Sequence, residues 1–217
     1  MKVACLFSGG KDSTYSIAWA LNQGWEVYTL ISILPMENSY MFHHPNVNWC
    51  NLQAEAMQLP LIFGKSHGDK TQEIEDLKSL LSSLKIDGIV SGAIASEYQK
   101  EQLDRITYEL GIKNFAPLWH KKQEKLLEEM IEQGFEFIIT AVSAEGLDEK
   151  WLGRLIDMQA YNELRKIKGI NIVFEGGEAE TFVLNSPIFN KKIKINNAVK
   201  NFKGSSGSYL IKEAELA

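Results

Sequence analysis

Two short stretches carry the residue types that chemistry needs. The first, Ser8-Gly9-Gly10-Lys11-Asp12-Ser13, follows directly on an apolar run. Glycines let backbone N–H groups turn toward an anion without Cβ clashes. A helix starting there adds unpaired donors and the positive end of its dipole. Ser8 and Ser13 offer hydroxyls and Lys11 a point charge, so the set suits a phosphate. It has neither the longer spacing of a Walker loop nor the third glycine of a dinucleotide fingerprint. Asp12 would repel a phosphate unless it caps the helix or holds Mg²⁺. A plain strand–helix turn capped by Asp12 is the competing reading. The second stretch is Glu175-Gly176-Gly177-Glu178-Ala179-Glu180-Thr181. Two glycines in an acidic heptad predict a tight turn that presents carboxylates side by side. Clustered acids repel unless a cation or a donor joins them. A divalent metal, an ammonium ion or a basic substrate group would serve, and a hairpin turn with solvated acids is the simpler alternative.

Both stretches need elements to hold them. Residues 3–7 read as a strand buried on both faces, and 13–23 have helical spacing with Ile17, Ala18, Ala20 and Leu21 on one side. A second strand is expected over 25–34, a helix over 46–58 and a third strand from 60. Ile74, Leu77, Leu80, Leu81 and Leu84 mark an amphipathic helix over 71–84. A fourth strand at 87–90 leads into Ser96 and Gln99, a capping pair for a helix carrying Leu103, Ile106 and Leu110 and ended by Gly111. This alternation predicts an α/β fold: a parallel Rossmann-like sheet with helices on both faces. Ligands in such sheets bind beyond the carboxyl ends of the strands. A helix near 121–133 and a strand near 135–142 continue the pattern. After them come a helix near 151–168 and short β-type runs at 172–174, 181–184, 191–195 and 208–212. They predict a smaller C-terminal α+β domain, with the division near Pro117: a nucleotide-type domain over 1–118 and a substrate domain over 119–217.

Composition narrows the function class. The chain of 217 residues has a net charge of −5, which gives no general attraction to nucleic acid. The two cysteines, Cys5 and Cys50, lack metal-ligand spacing, and Cys5 reads as a small buried hydrophobe. The N-terminal apolar run is too short for a secretory segment, and no stretch reaches the roughly 20 apolar residues that cross a bilayer. A cytoplasmic protein is expected. The oligomeric state stays open, a homodimer included.

Ser-Gly-Gly-Lys-Asp-Ser directly after a first strand resembles the loop of the N-type ATP pyrophosphatases. These enzymes cleave ATP between the α and β phosphates and adenylate their substrates. Taken with residues 175–181, the chain is similar to the diphthine–ammonia ligase (diphthamide synthetase) family. The likeness extends through Ser39-Tyr40-Met41-Phe42-His43, residues 91–99, Pro117-Leu118-Trp119 and residues 146–154, and so covers nearly the whole chain. Ala179 departs from a usual aromatic residue and Asn185 from a common Asp. The chain looks like the short archaeal form of the family, without the further C-terminal domains of eukaryotic relatives.

The resemblance implies an adenine nucleotide alpha hydrolase-like fold. It implies an ATP-dependent, AMP-forming amidation of diphthine, a modified histidine of translation elongation factor 2, with ATP and Mg²⁺ required. Ammonium is the expected nitrogen source, because no glutaminase segment is evident. Under this reading Ser8, Gly9, Gly10, Lys11, Asp12 and Ser13 bind the phosphates, and Lys11 and Asp12 act in catalysis. Asp12 is the candidate metal ligand. Backbone groups near Ser32 and Gly92 would meet adenine. Glu175, Gly176, Gly177, Glu178 and Glu180 would form the acceptor or ammonium site, with Glu178 the favoured catalytic carboxylate because the paired glycines leave room for a ligand. His43, Tyr98 and Gln99 are further substrate contacts, Tyr98 through its ring face. Trp151 and Arg154 are candidate docking or phosphate contacts. Two alternatives stand beside this: another N-type pyrophosphatase, acting on tRNA or in cobalamin metabolism, and a nucleotide-binding regulator without catalysis.

Overall fold

A computed structural model describes residues 1–34, 46–65 and 70–217. Five parallel strands form the first sheet: β1 (Lys2–Leu6), β2 (Glu26–Leu34), β3 (Leu61–Lys65), β4 (Gly88–Val90) and β5 (Lys113–Phe115). Their order across the sheet is β3-β2-β1-β4-β5, so the winding reverses between β1 and β4. At such a switch point the crossovers leave on opposite faces and open a crevice at the carboxyl ends of the strands. The loop after β1 carries the first chemical stretch into that crevice.

Four helices cover the sheet: α1 (Lys11–Asn22), α2 (Cys50–Met57), α3 (Lys70–Ser82) and α4 (Glu97–Leu110). Val3, Cys5, Phe7 and Leu30 pack with Ile17, Ala20, Ala54 and Met57 on the face of α1 and α2. Ala4, Ile31, Ile33 and Ile89 pack with Leu77, Leu81, Leu103 and Ile106 on the face of α3 and α4. Each fully buried large aliphatic side chain here contributes about 1.5–3 kcal/mol over its exposed state. Ser96 Oγ caps α4 by accepting from Gln99 N–H at 3.4 Å. The Rossmann-like parallel sheet with helices on both faces is as expected. β5 is additional, an edge strand too short and too polar to stand out in the sequence.

The rest of the chain is built differently from the expectation. The strand expected near 135–142 does not continue the parallel sheet. It is β6 (Glu136–Val142) of a separate antiparallel sheet with β7 (Ala179–Asn185), β8 (Ile193–Lys203) and β9 (Ser206–Leu216), ordered β7-β6-β9-β8. The helix expected over 151–168 shrinks to α6 (Met158–Leu164), after α5 (Gln123–Glu132). Before α6 the chain runs along β6, with Gly153 N–H donating to Ile139 O at 2.8 Å and Ile156 N–H to Phe137 O at 2.9 Å. Trp151 is 2% exposed and belongs to the core, so it is no docking contact. Arg154 lies 4.5 Å from its ring centroid and pairs with Glu163 at 2.6 Å, which holds the Glu163 carboxyl down at about 2. Residues 172–174 form turns instead of a strand, with Phe174 in the left-handed region at φ 65°.

The two units share a core through α1. Tyr15 and Ala18 of α1, with Ile94 and Leu118, join Leu126, Phe137, Trp151, Val173 and Val183 in one cluster. Thus α1 is buried on two sides, one against its own sheet and one against the second unit. Asn46 Nδ2 donates to Tyr209 O at 2.9 Å, and Asn46 Oδ1 accepts from Ile211 N–H at 3.0 Å. Among the described residues, no helix is long and apolar enough to cross a membrane.

Candidate active site

The crevice holds a cavity of about 390 Å³. Its apolar lining comes from both sheet strands and helices: Leu6, Ile31, Ile33, Leu77 and Leu103. Its polar lining joins the two stretches singled out in the sequence. Ser8, Gly10, Lys11, Asp12 and Ser13 come from the loop after β1, with Gly92 and Gln99 from the segment after β4. Glu175, Gly177, Glu180 and Thr181 come from the second unit. Gly9, Ser32, Tyr98, Gly176 and Glu178 are not part of this lining, and His43 lies outside the described residues.

The loop is held as the helix start demands and also by the second unit. Thr14 N–H and Oγ both donate to Gly10 O, at 3.1 and 2.9 Å. Ser8 and Ser13 hydroxyls lie 3.2 Å apart. Lys11 N–H, one of the donors expected to face a phosphate, instead donates to Thr181 Oγ1 at 3.1 Å. Gly9 O accepts from Val183 N–H at 3.0 Å and from Gln53 Nε2 at 2.9 Å. Gln53 is fully buried and its Nε2 also donates to Val183 O at 2.8 Å. Strand β7 and helix α2 therefore brace the loop from behind. Gln53 and Thr181 were not assigned from sequence. A glutamine among the apolar residues of α2 was the available signal for the first.

Lys11 is a buried cation, 2% exposed. Its Nζ donates to Asp12 Oδ2 at 2.7 Å and to Val173 O at 2.6 Å. It lies 5.4 Å from the Phe174 ring centroid. An ammonium has three donors, so two of them serve the protein itself. Asp12 Oδ1 is buried and has no hydrogen-bond partner among the described residues. Burial pushes the Asp12 carboxyl above its ordinary range, Lys11 opposes that, and Glu175 and Glu180 push it further up. Among the described residues, no group of three His, Cys, Asp or Glu side chains is arranged to hold a metal. The arrangement suits a cation that takes one carboxylate oxygen and completes its shell with phosphate oxygens and water, as Mg²⁺ commonly does.

The acidic turn departs most from expectation. Glu178 Oε2 accepts from Gly176 N–H at 2.9 Å and Glu178 Oε1 from Asn171 N–H at 3.0 Å. A Cβ on Gly176 would come within 2.7 Å of Glu178 Oε1. The room beside the glycines is thus taken by the glutamate's own carboxylate, which braces the turn. Glu175 Oε1 accepts from Ala95 N–H at 3.0 Å, Ser96 N–H at 3.1 Å and Ile94 N–H at 3.4 Å. Glu180 lines the cavity next to Asp12. Ser32 Oγ donates to Phe7 O at 2.7 Å and knits β2 to β1. Ser91, unassigned from sequence, lines the cavity, and its hydroxyl lacks a hydrogen-bond partner among the described residues.

Neither cysteine takes part. Burial pushes the thiols of Cys5 and Cys50 up to about 12. The thiolate is the reactive form, so both should stay unlabelled by iodoacetamide at pH 8 in the native protein. Both should label in urea, as read by intact mass. Rapid native labelling would show that one of them is reached and activated.

Two family models match the chain: the diphthamide synthase N-terminal domain over residues 1–114 and the diphthamide synthase C-terminal domain over residues 122–217. Among known proteins, the diphthine–ammonia ligase of Bos taurus is 38% identical over 227 residues, covering 91% of this chain and 84% of the relative. That of Homo sapiens is 37% identical with the same coverage. The diphthine–ammonia ligase of Schizosaccharomyces pombe is 34% identical, and the match spans 36% of its length.

Proposed function

The chain belongs to the diphthamide synthase family, and from that premise we propose that it amidates the diphthine carboxylate of translation elongation factor 2 with ammonium. ATP is consumed, and AMP and pyrophosphate are released. The observation that carries this reading is the meeting of the loop after β1 with the 173–181 segment on one cavity. An amidating enzyme must place an α-phosphate and an acceptor carboxylate side by side.

A carboxylate resists ammonia because it is anionic and would have to expel an oxide. Attack of its oxygen on the α-phosphorus gives an acyl-adenylate and pyrophosphate. Ammonia then adds to the acyl carbon, and AMP leaves. We assign the triphosphate to Ser8, Gly10, Lys11 and Ser13 and the purine to the apolar wall of Leu6, Ile31 and Leu77. Charge accumulates on the departing pyrophosphate, and preorganised donors there are each worth about 3 kcal/mol. Asp12 Oδ1, buried and without a partner among the described residues, is the oxygen that would hold Mg²⁺, which neutralises phosphate charge when bound. Glu180 faces the acceptor and ammonium side of the cavity, and Glu178 keeps the turn in shape. The nucleotide function belongs to residues 1–118 and the acceptor function to 119–217, although 173–183 complete the nucleotide side. A translation factor as acceptor places the reaction in the cytoplasm.

The test is mass spectrometry of diphthine-bearing elongation factor 2 after incubation with ATP, Mg²⁺ and ammonium. The expected result is conversion of carboxylate to amide, dependent on all three, with pyrophosphate formed in equal amount. Glutamine in place of ammonium should give no amide. Pyrophosphate release that depends on tRNA and not on the elongation factor, or no nucleotide cleavage at all, would replace this function.

A further inference from the structure

We infer that Glu175 is a positioning residue, through which the second unit sets the shape of the nucleotide wall built by the first. The inference rests on the reading that the cavity takes ATP. The residue was expected to offer its charge to a ligand. Instead one oxygen of its carboxylate accepts from three consecutive backbone N–H groups, Ile94, Ala95 and Ser96. These lie just ahead of α4, where backbone donors have no helical partner. A carboxylate there satisfies them and interacts favourably with the positive end of the α4 dipole.

The segment so held is a wall of the site. Ser91, Gly92, Ala93, Ser96 and Gln99 all line the cavity. Gly92 lies so close to α1 that a Cβ on it would stand 2.7 Å from Ser13 N. Any drift of residues 91–96 is therefore felt by the loop after β1. Glu175 itself is fixed at its base. Phe174 before it is in the left-handed region, Val173 O receives Lys11 Nζ, and Glu178 braces the turn behind it. The second unit thus grips the site at two places, the lysine and the 94–96 segment, from one short turn.

A positioning role and a direct charge role give different mutants. An amide oxygen accepts the same three hydrogen bonds as a carboxylate oxygen, whereas only the carboxylate attracts ammonium or a substrate cation. Glu175→Gln should therefore bind a non-hydrolysable ATP analogue within about twofold of wild type, and Glu175→Ala about tenfold more weakly, the loss expected when three backbone donors, two of them part-buried, lose their shared acceptor. Calorimetry reads both. Amide hydrogen exchange supplies the readout that charge loss alone would not move: Ala95 and Ser96 should stay protected in Glu175→Gln and exchange faster in Glu175→Ala. Circular dichroism checks that both variants are folded. If Glu175→Gln binds as weakly as Glu175→Ala, or if Glu175→Ala binds like wild type, the positioning role is wrong. Should Glu175→Ala fail to fold, protection and affinity in Glu175→Gln decide alone. A wild-type chain that binds no ATP analogue would remove the reading of the cavity, and the exchange data would still decide whether Glu175 orders residues 94–96.

Discussion

Replacing Lys11 by alanine is expected to lower the rate of amide formation about 10²- to 10³-fold, the usual loss when one preorganised donor is removed from a site where charge develops. The buried position strengthens the case. At 2% exposure the ammonium has little water around it, so its field acts in a low-dielectric surrounding. Without it, Asp12 would face Glu175 and Glu180 with no compensating cation, and its carboxyl, already raised by burial, would rise further. Stability also falls. Breaking a fully buried pair costs about 3–5 kcal/mol, but the Asp12 side chain is 25% exposed, so the loss should lie below that range. Lys11→Met separates the causes by keeping the stem and removing the charge. Both variants should remain folded by circular dichroism and form little pyrophosphate in single-turnover assays. A Lys11→Met enzyme with near wild-type turnover would take the lysine out of the chemistry.

Gly92→Ala should act as strongly, through geometry alone. The added Cβ would stand 2.7 Å from Ser13 N and 2.8 Å from the Asp12 carbonyl carbon. Both are backbone atoms at the start of α1, so neither can swing aside as a side-chain end would. Either the 91–96 segment or the helix start must move by several tenths of an ångström. Misplacement on the ångström scale costs about 10²-fold in rate. The variant should melt only slightly below wild type and lose ATP affinity and turnover together. Unchanged kinetics would mean that the contact between β4 and α1 does not shape the site.

The parallel sheet was legible because its strands are short, continuous apolar runs that alternate with helix patterns. The position of the loop after β1 was legible for the same reason, since it stands between such a strand and such a helix. The second sheet was misread where burial gives no pattern. Strands β8 and β9 form a long ribbon largely open to solvent, so lysines, asparagines and glutamates replace the alternation that marks a half-buried strand. Around 151–168 the error was of the opposite kind. Trp151, Leu152 and Ile156 are core residues, but Trp151 ends a single 3-10 turn (Glu149–Trp151) and Leu152 and Ile156 lie along β6 in non-helical backbone, so a helix-like spacing arises by chance. The acidic turn was found as a motif, but its use was hidden. Glu175 and Glu178 bond to backbone N–H groups, and those of residues 94–96 lie far away along the chain. No spacing rule within a heptad reports a partner of that kind.

The bracing of Gly9, Lys11 and Gln53 by Thr181 and Val183 has a consequence for inheritance. Two segments that fold as separate sheets are usually free to be shuffled among genes, each bringing its own ligand. Here the later-translated half supplies the backing of the earlier half's glycine loop, so a ribosome must finish nearly the whole chain before that loop is braced. Transplanting the later half onto a foreign parallel sheet would require carrying its threonine, its valine and a matching glutamine together.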